Sequence, residues 1–95
     1  MIVVRVRSFF DLKRAMGSGE VLLRLKEEAS VKDLIQVLVE RYGEKLKDFL
    51  FKEGEKVNTS ISIYVNGRLI DFLDGLETKL SDGDVVSLMP PAGGG

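Results

Sequence analysis

The chain has 95 residues, enough for one small domain with a single core, and its 44% hydrophobic and 31% charged content is that of a folded globular protein rather than a disordered one. Fourteen basic and fifteen acidic residues leave a net charge of −1 with no block of like charge, which excludes the electrostatic footprint of a nucleic-acid binder. Neither cysteine nor histidine occurs, so thiolate chemistry, disulfides, zinc ribbons and the commonest general base and metal ligand are all excluded.

No apolar run is long enough to cross a bilayer and Met1–Arg5 lacks the form of a signal peptide, so a cytoplasmic protein without a membrane partner is expected. Ile2, Val4 and Val6 alternate with Val3, Arg5 and Arg7, the pattern of a half-buried strand. Phe9 to Met16 breaks that period and suits a short helical turn, ended by Gly17-Ser18-Gly19. A second alternation sets Val21, Leu23 and Leu25 against Leu22, Arg24 and Lys26, and two strands so close in sequence suggest an antiparallel pair.

The clearest helix begins at Ser30, a good N-cap, with Asp33 three residues on at the positive end of the helix dipole. Val31, Leu34, Ile35, Leu38, Val39 and Tyr42 recur along one face, and Gly43 supplies the stop. Leu46, Phe49 and Leu50 mark a second short helix over Glu44 to Phe51, and the polar run Lys52 to Ser60 reads as a loop. Ile61, Ile63 and Val65 alternate as a strand, Asn66-Gly67 is a strong hairpin signal, and Arg68-Leu69-Ile70 returns from it. After an irregular Asp71 to Leu80, the turn Ser81-Asp82-Gly83-Asp84 feeds a last strand, Val85 to Met89. Gly67, Gly75 and Gly83 lack the spacing and following helix of a phosphate loop and read as turn glycines. The order of elements predicts an α+β domain over residues 1–89, with one main helix across one face of a sheet.

Residues 90–95 are expected to form a separate tail. Pro90 and Pro91 enforce an extended exit, while Gly93, Gly94 and Gly95 have no side chains and can enter a slot too narrow for any other residue. Fully stretched, the six residues reach roughly 20 Å, enough to probe a buried site in a partner. A glycine-rich terminus is also a common form of inert tail. A chain with no paired catalytic constellation and a projecting tail is expected to have its chemistry supplied by others.

With these residues in hand, the sequence resembles the β-grasp sulfur carriers, and among them the small subunit of molybdopterin synthase, the MoaD family. The likeness covers the whole chain and is sharpest over Leu80 to Gly95, where the family has Leu-x-Asp-Gly-Asp-x-Val, an apolar pair, Pro-Pro and a terminal Gly-Gly. Phe9 to Gly17 and Val65-Asn66-Gly67 are weaker matches, and Ala92-Gly93 and Met89 depart from the larger and aromatic residues common at those positions.

The resemblance implies a ubiquitin-like β-grasp fold: a mixed sheet of about five strands, the first and last adjacent in its middle, and a flexible tail. It implies that the Gly95 carboxylate is adenylated with ATP by a ubiquitin-activating-like, MoeB-like adenylyltransferase. Sulfur then replaces AMP, and the resulting thiocarboxylate enters a MoaE-like large subunit to convert a cyclic pterin monophosphate to the molybdopterin dithiolene. The chain itself would bind no cofactor or metal and serve as a non-catalytic subunit. Phe9, Leu69 and Met89 are implied anchors for the large subunit, or else ordinary core residues, since sequence does not fix the parity of a strand's faces. Lys13 and Arg14 are rim charges or solvated surface.

Two other readings remain. The activated glycine could be joined to a target lysine, as in ubiquitin-like modifiers, or the sulfur could serve thiamine synthesis or tRNA thiolation. The segments Phe9–Gly19 and Leu46–Ser60 are extra relative to a typical thiamine carrier and favour the molybdopterin reading.

Overall fold

The computed structural model describes residues 1–52 and 56–91. In chain order the elements are β1 (Ile2–Ser8), α1 (Phe10–Met16), β2 (Glu20–Leu25), α2 (Val31–Tyr42), α3 (Glu44–Leu50), β3 (Phe51–Lys52), β4 (Lys56–Val57), β5 (Ser62–Val65), β6 (Arg68–Leu69) and β7 (Val85–Met89), with short 3-10 turns at Ile70–Phe72 and Gly75–Glu77. Five strands form one mixed sheet in the order β2-β1-β7-β5-β6. β1 and β7 run parallel in the middle, and the flanking pairs are antiparallel. This is the α+β, ubiquitin-like β-grasp arrangement expected.

The alternation read from the sequence sets which face is covered. Ile2, Val4, Val6, Leu23, Leu25, Ile63, Val65, Val86 and Leu88 point to one side and are buried there with Val31, Leu34, Ile35 and Leu38 of α2. Val39 and Tyr42, placed by periodicity on the same helix face, lie at the margin of the core and are only partly buried. Leu46 and Leu50 of α3 and Leu12 and Met16 of α1 close the remaining gaps.

The start of α2 forms a reciprocal capping box. The Asp33 backbone N–H donates to Ser30 Oγ at 3.2 Å and the Ser30 backbone N–H donates to Asp33 Oδ2 at 2.9 Å. That backbone donor is the main reason the Asp33 carboxyl lies below its ordinary value of 3.8; partial burial opposes it, and the Ser30 hydroxyl with the charges of Lys26 and Lys79 assists. A carboxyl depressed in the folded state adds stability above its unfolded pKa and loses it as pH falls through the lower folded value. Asp33→Asn should therefore melt below the parent at pH 7, by about 1 kcal/mol as for other cap losses. Melting curves down the acid range should show the gap closing as pH falls from the ordinary carboxyl value, about 4, through the lower folded value; a gap constant with pH would refute this role.

One segment departs from expectation. Lys52 to Ser60, read as a loop because it is polar, contributes Lys52, Lys56 and Val57 to a small antiparallel ladder with Phe51. Two backbone pairs suffice for such a ladder, and they leave no hydrophobic period to detect. The Asn58 side chain completes the return by donating to the Phe49 carbonyl at 3.1 Å. Residues 53–55 of that run lie outside the described residues.

Candidate functional site

The tail leaves the sheet from its centre, because β7 lies between β1 and β5. The position of β7 is set by a clasp of short polar side chains at its start. Gly83 N–H donates to the Val3 carbonyl and Val3 N–H to Asp82 Oδ1, both at 2.8 Å. Arg5 N–H donates to the Asp84 carbonyl at 2.9 Å, so the turn is stitched to β1 on both sides. Asp84 uses both carboxylate oxygens, accepting from Ser81 N–H at 2.8 Å and from Asn66 Nδ2 at 2.9 Å. Asn66 Oδ1 in turn accepts from Val85 N–H at 2.9 Å. Asn66 and Gly67, at φ 51° and 84°, thus form the two-residue hairpin turn that the sequence announced and also tie that hairpin to the last strand.

The Leu-x-Asp-Gly-Asp stretch is therefore a structural device for aiming β7. Sequence reasoning read it as a turn and as part of the sharpest family resemblance but did not foresee the clasp; the paired Asp residues around a glycine were the available signal. Asp84→Ala should cost about 1–2 kcal/mol in urea unfolding, because two donors lose their shared acceptor. Asn66→Ala in the Asp84→Ala background should cost less than it does alone, a coupling that a double-mutant cycle would measure.

Past the clasp, the pairing register settles the parity that sequence left open. Ser62 pairs with Met89 and Tyr64 with both Ser87 and Leu69, while the intervening Ile63, Val65, Val86 and Leu88 are buried. Leu69 and Met89 thus lie on the sheet face opposite α2, each partly exposed and outside the buried core. Phe9, also outside that core, continues β1 in extended geometry (φ −136°, ψ 150°) one residue beyond the Ser8–Leu88 pair, level with Met89. Pro90 is half-buried and Pro91 exposed, and the expectations for Gly93, Gly94 and Gly95 fall outside the described residues. The same face carries Arg5 and Arg7, both paired to Glu20 at 3.6 Å and 3.1 Å.

At the same end of the sheet, α1 packs beside β1 and β7. Its first residue, Phe10, has φ 56°, the left-handed region that costs an ordinary L-residue about 1–2 kcal/mol, yet its ring stays 69% exposed. Nothing in the residue type signalled this conformation. Arg14 pairs with Asp11 at 3.2 Å on the helix surface, and both are exposed, which fits a rim charge as well as solvated surface.

Among the described residues no group of three or more histidines, cysteines or carboxylates could hold a metal ion, and no helix is long and apolar enough to cross a membrane. Asp33, whose carboxyl is clearly shifted, caps α2 at the end of the sheet remote from the tail. The side chains brought together at the tail's root are apolar and cationic.

A sheet with parallel central strands, a helix across one face and a glycine-ended segment leaving the central strand define a ubiquitin-like β-grasp protein. The chain belongs to the ThiS family, which matches residues 7–95. It is 34% identical over 92 residues to small archaeal modifier protein 3 of Haloferax volcanii, covering 97% of this chain and 98% of that one. The solution structure of small archaeal modifier protein 1 from Methanosarcina acetivorans superposes with a TM-score of 0.88 at 35% identity, over 100% of this chain and 98% of that one. A Pyrococcus furiosus protein provisionally named molybdopterin converting factor subunit 1 gives a TM-score of 0.79 at 35% identity, over 97% and 100%. The protein is thus a member of a family of sulfur carriers and ubiquitin-like small modifiers.

Proposed function

We propose that this chain is the sulfur-carrying subunit of a molybdopterin synthase. The observation that carries the reading is the placement of β7 in the middle of the sheet, clasped at its start and followed by Pro90 and the exposed Pro91, after which the sequence runs on into Gly93-Gly94-Gly95. A carboxylate is anionic at neutral pH and a poor electrophile, so it must be activated. One of its oxygens attacks the α-phosphorus of ATP on a MoeB-like adenylyltransferase, and pyrophosphate leaves. A hydrosulfide-equivalent nucleophile then attacks the acyl carbon and AMP leaves, which gives the Gly95 thiocarboxylate.

The tail next enters a MoaE-like large subunit, whose side chains supply the acid and base that a chain without His or Cys lacks. Two such deliveries convert cyclic pyranopterin monophosphate to the dithiolene. Leu69, Met89 and Phe9 form the apolar side of the contact, since the fold leaves all three outside the buried core near the tail's root, Leu69 and Met89 partly exposed on the sheet face opposite α2 and Phe9 level with Met89.

The reading is tested by incubating the protein with ATP, a sulfur donor and the activating enzyme, then adding the large subunit and cyclic pyranopterin monophosphate. The expected results are an intact mass raised by the exchange of one oxygen for sulfur, and its reversal as molybdopterin forms. A charged chain whose sulfur does not reach the pterin would remove the molybdopterin assignment. The likeness to a small archaeal modifier protein over nearly the whole chain favours a second reading, conjugation of the activated Gly95 to lysines. Isopeptide-linked products in cell extracts, lost with Gly95, would establish it.

A further inference from the structure

The groove between α1 and the end of β1 has no role in the reading above beyond Phe9 at its rim. It encloses about 790 Å³ and is lined by Arg7, Phe9, Phe10, Lys13, Arg14 and the backbone at Gly17 and Gly19, with no acidic side chain in its wall. A chain of net charge −1 therefore collects three cations in one hollow. The carboxylates that meet two of them, Glu20 on Arg7 and Asp11 on Arg14, sit outside the wall and are exposed; among the described residues Lys13 has no ion-pair partner. The Lys13 stem lies over Gly19, so the lysine follows the wall of the hollow.

Two further observations give the groove a direction. It lies near the root of the tail, since Ser8 in its wall pairs with Leu88, one residue before Met89. Phe10 holds a left-handed backbone, and its ring gains little burial in return for that strain. Exposed aromatic and arginine side chains around a shallow hollow are the composition of a protein interface.

We infer that this groove docks an acidic segment, with an apolar residue at its centre, of the enzyme that activates the tail. The inference rests on the tail being activated, and activation precedes both sulfur carriage and lysine conjugation, so the same docking serves either fate. The cations steer the acidic segment in, Phe9 and Phe10 grip its apolar residue, and the tail is aimed because its root and the groove share one end of the sheet.

The test compares steady-state charging of the full chain, Lys13→Glu/Arg14→Glu and Phe10→Gly by a ubiquitin-activating-like enzyme with ATP, at low and high salt. The double variant should raise KM about tenfold at low salt with kcat unchanged, and should lose the salt dependence of the parent. Phe10→Gly should also raise KM while raising the melting temperature, because glycine accepts the left-handed backbone freely. That pairing of a more stable fold with weaker docking separates an interface role from damage to the structure. A KM unchanged in both variants, or a fall in kcat alone, overturns the docking site while leaving the carrier reading intact. ATP stabilisation of the isolated chain that the double variant loses would instead make the groove a nucleotide site and also overturn it. A parent chain that is not charged at all overturns the carrier reading and this inference with it.

Discussion

Removal of Gly95 is expected to reduce ATP-dependent charging by more than about a hundredfold while leaving the melting temperature unchanged. The deletion withdraws the terminal carboxylate by one residue, about 3.3–3.6 Å of extended chain, whereas a misplacement of about 1 Å at a reacting centre already costs about a hundredfold. The fold should not register the loss, since β7 ends at Met89 and Pro91 is already exposed. Intact-protein mass spectrometry beside a thermal melt gives both readouts. Full charging of the shortened chain would show that the enzyme reads the body of the protein and not the end of the tail.

Leu88→Ala should have the largest effect on stability. Leu88 is fully buried on β7, flanked in register by Ser8 of β1 and Ile63 of β5, so the cavity left behind is walled by strands that cannot close in. Buried leucine truncations cost about 2–5 kcal/mol, against a total of about 5–15 kcal/mol for a domain of this size. Even the lower figure lowers Tm by about 8–16 °C for a chain of this length. A Tm within about 3 °C of the parent would mean that β7 is not packed as described, and the aim of the tail would then lack its support.

Most of this architecture was legible because its signals are local. Ser30, Asp33 and Gly43 bound α2, Asn66-Gly67 turns the hairpin, and alternation marks β1, β2 and β5; each acts through its own backbone neighbours. The β3–β4 ladder was not legible, because two backbone pairs leave no pattern in side chains. The segments Phe9–Gly19 and Leu46–Ser60 were read as extra relative to a typical thiamine carrier. What they build, a helix beside the tail's root and a short helix with its ladder, depends on packing.

The candidate site divides along the same line. The tail's composition announced itself, since prolines stiffen and glycines narrow a chain wherever it goes. Which large apolar side chains stand around its root did not, because a shift of one residue in register exchanges the two faces of every strand. Leu69 and Met89 were as consistent with the core as with the surface until their pairing with Tyr64 and Ser62 was known.

By itself the sequence showed that cysteine and histidine are absent and that no apolar run is long enough for a membrane-spanning helix, and it carried the expectation of an α+β domain followed by a stiff and then glycine-rich segment. The resemblance already implied that the first and last strands lie side by side in the middle of the sheet; only the tertiary structure decided that β7 runs parallel to β1 there, that Asp82, Asp84 and Asn66 aim it, and that Arg7, Lys13, Arg14, Phe9 and Phe10 gather beside its end. The physical reason is separation along the chain. Composition and period act on neighbours, whereas the contacts that place the tail join β1, the hairpin turn and β7, segments whose adjacency is set by how the sheet pairs.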